Sequence, residues 1–67
     1  MFILVNQVLN HVNKETRETV LNTAFIQEIQ PLYDGATIFL PDGRVDITMN
    51  FKTLCKILNV KSEVNHD

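Results

Sequence analysis

Three groups of residues could carry chemistry, and each is thin. Cys55 with His11 could form a thiol–imidazole pair. However, Cys55 recurs at helical spacing among apolar residues, where a free thiol behaves as a small buried hydrophobe and is inert. Asp42 and Asp46 could form a carboxylate pair. Asp42 is accounted for by a turn with Gly43, and Asp46 is expected to face solvent from a strand; acid–base work would need a cleft around both. His11 and His66 have no Cys or His three or four residues away, which leaves no metal-clip spacing. No serine precedes Ser62, so a Ser–His–Asp arrangement on the folded core is not expected. Each of the two glycines follows an aspartate, and no glycine-rich phosphate loop is present. We expect no enzyme, no cofactor and no bound metal.

The elements that would position these residues centre on the stretch from Ala36 to Leu58. Asp42-Gly43 between two apolar runs signals a β-hairpin. Read as a two-residue loop, it pairs Leu40 with Val45, Ile38 with Ile47 and Ala36 with Met49 on one face. Phe39/Asp46 and Thr37/Thr48 then fall on the other face. A three-residue loop, Pro41-Asp42-Gly43, pairs Leu40 with Arg44 and mixes the faces. Exposing one large aliphatic side chain costs about 1.5–3 kcal/mol. A lost hydrogen bond costs about 0.5–1.5 kcal/mol. The two-residue register is therefore expected, although Pro41 then sits in the ladder without an N–H.

After Met49 the period lengthens. Phe51, Leu54, Cys55 and Leu58 make one helical stripe, widened by Ile57, with Lys52, Thr53, Lys56 and Asn59 opposite. Asn50 is a good N-cap. A helix over 50–59 is expected to pack on the Ile38/Leu40/Val45/Ile47 face.

Upstream, Phe2–Leu9 reads as a strand that is apolar on both faces. Asn10–Lys14 is a polar connection. Glu15–Leu21 alternates, with Thr16, Glu18 and Val20 on one side, and its charges suit an edge position. Asn22 can cap a short turn through Phe25, and a third strand over Ile26–Tyr33 follows, with Pro31 marking an edge or bulge. The alternative is a helix over Thr23–Ile29, whose period Phe25, Ile26 and Ile29 also fit and which Pro31 would stop. Asp34-Gly35 is a second turn. The fold class is α+β: an antiparallel sheet of four or five strands, a central Asp-Gly hairpin, and one C-terminal helix packed on one face. Residues 1–59 form one domain, and 60–67 is a polar tail expected to fray.

Sixty-seven residues with one cysteine cannot form an internal disulfide, and a chain this short is marginal unless it associates. The net charge of −2 disfavours non-specific binding to nucleic acid or anionic membranes. The opening MFILV lacks the parts of a signal peptide and is far shorter than a membrane span. No membrane association and a cytoplasmic location are expected.

Leu21-Asn22-Thr23-Ala24-Phe25-Ile26-Gln27-Glu28-Ile29, the following Thr37–Leu40 and Asp42-Gly43 hairpin, and Asn50-Phe51-x-x-Leu54-x-x-x-Leu58 resemble one structural pattern. It is shared by the small flagellar-operon proteins of the FlbD type and the LytTR-type DNA-binding domains. The resemblance covers about residues 20–58. Its flagellar side implies a small accessory or regulatory protein without catalysis; its LytTR side implies DNA binding. The chain is shorter than a LytTR domain and has Pro41 where a polar residue usually precedes the turn.

Two-sided apolar strands under a single helical lid are satisfied either by association or by a sheet that curls enough to bury both faces, as small barrels do; association is the expectation. The expected surface is Phe2, Leu4, Tyr33 and Phe39, serving a homo-oligomer, most simply a dimer, and a further protein partner. The alternative is a small DNA-binding regulator using Arg44, Lys52, Lys56 and Lys61.

Overall fold

The computed structural model describes residues 1–60. The elements run β1 (Phe2–Asn10), β2 (Glu15–Asn22), a short 3-10 turn (Thr23–Phe25), β3 (Glu28–Leu32), β4 (Gly35–Leu40), β5 (Gly43–Ile47) and α1 (Phe51–Ile57). The five strands form one sheet in the order β2-β1-β5-β4-β3, with all neighbours antiparallel. The small antiparallel sheet with one helix is thus the observed architecture. The tail beyond Val60, including Lys61, Ser62 and His66, lies outside the described residues.

The sheet has two parts: a long β1–β2 ribbon and a β3–β4–β5 meander. The parts meet at one ladder pair, Gln7 with Ile47, supported by the Thr48 N–H donating to the Asn6 carbonyl at 3.0 Å. Yet Ile3, Val5 and Leu21 of the ribbon share a single core with Ala36, Ile38 and Ile47 of the meander and Leu54 of α1. So narrow a junction lets the ribbon turn across the meander, and α1 is therefore not the only cover of the core.

The hairpin register differs from the expected one by two residues. Leu40 pairs with Gly43, Ile38 with Val45 and Ala36 with Ile47, so Pro41 and Asp42 are the turn. A slip of two preserves which side chains share a face, so burial could not discriminate between these registers. Turn chemistry decides it. Pro41 leaves the ladder, where its missing N–H would cost a bond, and takes the turn position that its fixed φ favours. Gly43 follows at φ 153°, a conformation that L side chains rarely adopt.

The second Asp-Gly pair behaves in the same way. Leu32 pairs with Gly35, Tyr33 and Asp34 form the turn, and β3 is shorter than the expected Ile26–Tyr33. Gly35 has a separate reason to be glycine: a Cβ there would lie 2.1 Å from the Ile47 carbonyl oxygen.

The caps form as their residue types dictate. Asn22 accepts from the Ala24 N–H, and Asn50 accepts from the N–H groups of Lys52 and Thr53. At the other end of α1, Asn59 (φ 60°) closes a Schellman motif: Val60 N–H donates to the Cys55 carbonyl and Asn59 N–H to that of Lys56. Leu54 is fully buried, Phe51, Cys55 and Leu58 are half-buried, and Lys52, Thr53 and Lys56 face solvent. Ile57, expected to widen the stripe, is exposed.

Candidate interaction surface

Along β1, burial alternates. Ile3 and Val5 point into the core, whereas Phe2 and Leu4 remain 67% and 59% exposed. The alternation is lost at Gln7 and Val8, both half-buried, and Leu9 lies at the register shift between Val8 and Asn10, without a ladder partner and exposed. Across the ladder Leu4 pairs with Val20, itself 62% exposed. Facing pairs in an antiparallel ladder share a face, so Phe2, Leu4 and Val20 form one outward apolar surface.

That surface leads to a groove. Val20, Leu21 and Asn22 of β2, Phe25 of the 3-10 turn, and Leu40, Pro41 and Asp42 of the β4–β5 turn enclose about 410 Å³. Phe25 is 59% exposed. Neither Val20 nor Phe25 was singled out from sequence as part of an association surface. The signal for Val20 was present, since it alternates with Thr19 and Leu21. Phe25 lies in a short turn, where periodicity carries no information.

Of the four expected association residues, Phe2 and Leu4 are brought together. Tyr33 is exposed at the β3–β4 turn, and Phe39 is half-buried between Glu28 and Arg44 in the meander ladder. Both belong to the meander, which β1 meets only through β5, so they do not extend the Phe2/Leu4 surface through the sheet.

The cationic set is also divided. Arg44 pairs with Phe39, on the face opposite Ile38 and Val45. Lys52 and Lys56 are exposed on α1, whose Leu54 packs into the core with Ile38. Arg44 and the two lysines thus lie on opposite sides of the meander.

On the Arg44 face sits a polar network. Thr37 and Asp46 are ladder partners; the Thr37 hydroxyl donates to Asp46 Oδ1 at 2.7 Å, and His11 Nε2 bonds to Oδ2 at 2.7 Å. Partial burial of Asp46 works to raise its pKa. The hydrogen bonds from Thr37 and His11, with the charges of His11 and Arg44, outweigh that and hold the carboxyl below its ordinary value. Asp46 is therefore not the simple solvent-facing residue expected: it ties the β1–β2 turn to β5.

Among the described residues no hydrogen bond joins His11 to Cys55, and no group of three or more His, Cys, Asp or Glu is placed to hold a metal ion. No helix of the described residues is long and apolar enough to cross a membrane. Comparison with protein-family models, with curated proteins and with solved structures finds no match to this chain.

Proposed function

We propose that the chain is a non-enzymatic interaction module that self-associates through the outward face of its β1–β2 ribbon and acts by binding another protein. The observation that carries this reading is the Leu4–Val20 pair, flanked by Phe2 and Phe25, each more than half exposed. Counting an aromatic side chain at about 200 Å², these four leave on the order of 400 Å² of apolar surface in water. A contiguous patch of that size commonly marks association. It supplies about half of the roughly 800 Å² that each partner buries in a stable interface. A small accessory or regulatory role, as the flagellar resemblance implies, fits a module of this kind.

Sedimentation velocity across the micromolar range tests it, with an apolar dye as a second readout. The expected result is a concentration-dependent dimer whose formation lowers dye binding. A compact monomer at high micromolar concentration with no affinity for the dye would overturn the reading.

A further inference from the structure

A second surface, which shares Val20 and Phe25 with the outward face, lies at the outer edge of β2. The Thr23 N–H donates to the Met1 carbonyl at 2.8 Å, while on the other side of β1 the Asn6 carbonyl accepts from Thr48. Antiparallel ladders alternate between bonded and non-bonded pairs. Odd residues of the ribbon therefore bond within it, and even residues turn their backbone groups away. On β2 this directs the N–H and C=O groups of Glu18 and Val20 and the N–H of Asn22 outward, the Asn22 carbonyl belonging to the 3-10 turn it caps. Among the described residues β2 is the last strand of the sheet. Directly beside these groups opens the groove formed with Phe25, Leu40 and Pro41, and Asp42 is the charged side chain in its wall.

We propose that an extended segment of a partner protein adds to the sheet along β2. Its backbone pairs with Glu18, Val20 and Asn22, an apolar side chain fills the groove, and a neighbouring Lys or Arg meets Asp42. In strand addition the main-chain bonds supply affinity, and pockets for alternate side chains supply specificity. Here an edge left unpaired among the described residues stands beside the groove. This inference rests on the reading that the chain binds another protein, and it identifies the kind of partner.

A second copy of β2 fits the edge poorly. Antiparallel self-pairing that keeps the two inner faces together can be centred on residue 17, 18, 19 or 20. Centring on Arg17 or Glu18 opposes like charges, a destabilising arrangement. Centring on Thr19 or Val20 sets Arg17 or Thr19 across from Leu21. No such register delivers a large apolar side chain to the groove.

Panning a phage-displayed library of random twelve-residue peptides on the full chain tests the proposal, followed by titration of the selected peptides into isotope-labelled protein. Enriched peptides are expected to alternate apolar and polar residues around one large apolar anchor with an adjacent Lys or Arg. Amide shifts should concentrate at Glu18, Val20, Asn22 and Phe25. Asp42→Lys should weaken such peptides by about tenfold, and Phe25→Ala should do likewise, with the remaining amide spectrum unchanged as proof of fold. Absence of enrichment over an unrelated immobilised protein would overturn the proposal. So would shifts confined to Phe2 and Leu4, or self-association that protects the β2 edge amides. Dimer formation in sedimentation with no peptide binding would overturn this inference and leave the self-association reading standing.

Discussion

Leu4 and Val20 stand opposite each other across the β1–β2 ladder, and each leaves more than half of its surface in solvent. On the same two strands, Ile3 and Leu21 are also paired and are almost fully buried. The ribbon thus has one side committed to the core and one apolar side left outside it. If that outward side is an interface, removing its apolar character should change association and not folding. Leu4→Gln and Val20→Thr are expected to raise the dimer dissociation constant at least about tenfold each. Their melting temperatures should stay within about 2 °C of the parent at concentrations where both are monomeric. Sedimentation and thermal melts of the same samples check both halves.

The core makes the opposite prediction. Leu54 is completely buried, and it is the α1 residue that enters the core beside Ile38 and Ile47. Leu54→Ala should cost about 2–5 kcal/mol through lost transfer energy and the cavity left behind. For a 67-residue chain that is a large share of total stability. Urea titration should show the midpoint collapsing, with the pretransition baseline lost if the helix no longer docks.

The strands, the turns and the helix were legible in the sequence because their signals are local: the apolar, β-branched run of β1, alternation in β2, Asn22 and Asn50 at caps, and the Phe51/Leu54/Leu58 spacing. The hairpin register was not. A two-residue slip leaves the apolar faces unchanged, so burial is silent on it and Pro41 was the informative residue. The register shift after Val8, beside which Leu9 is exposed, has no local marker. Nor could periodicity foretell the His11–Asp46 contact, which joins residues far apart in sequence. The separation of Arg44 from Lys52 and Lys56, by contrast, follows from alternation beside Val45 and a helix laid on the Val45 face. The Val20 and Phe25 contributions to the groove needed the meander to fold back beside β2.

The two glycines should respond to substitution for different reasons. A Cβ on Gly35 would stand 2.1 Å from the Ile47 carbonyl oxygen, a backbone atom at the junction of ribbon and meander. Gly35→Ala must displace β5 and is expected to cost about 3 kcal/mol or more. Around Gly43 there is open space, and only its φ of 153° resists a side chain. Gly43→Ala should cost about 1–3 kcal/mol without altering the core. Near-ultraviolet or methyl NMR spectra distinguish the two, since the first variant should perturb Ile47 and its neighbours and the second only the turn.

At the C-terminal end of α1, Asn59 holds φ 60° as the left-handed residue of the Schellman motif. Glycine adopts that conformation without a Cβ penalty. Asn59→Gly should therefore stabilise the fold by up to about 1 kcal/mol, and Asn59→Val should destabilise it by about 1–2 kcal/mol. Failure of the two variants to move in opposite directions in urea would contradict the cap geometry.

Asp46 gives the chain an acid-sensitive joint. Its folded pKa lies below its unfolded one, because the gains from Thr37, His11 and Arg44 exceed the cost of partial burial. The folded state thus favours the charged carboxylate. The resulting stability is fully present above the unfolded value of about 3.9 and is lost as pH falls through the folded value. Asp46→Asn keeps an oxygen for the Thr37 hydroxyl but removes the charge that His11 and Arg44 see. At pH 7 it should cost about 1 kcal/mol, the scale of a charge-assisted contact in a partly exposed site. Between pH 5 and pH 3 the parent should lose stability more steeply than the variant, so the difference between them narrows as the parent's carboxylate is protonated. Urea midpoints measured at half-unit intervals across that range provide the check, and parallel curves for parent and variant would show that Asp46 does not carry the linkage.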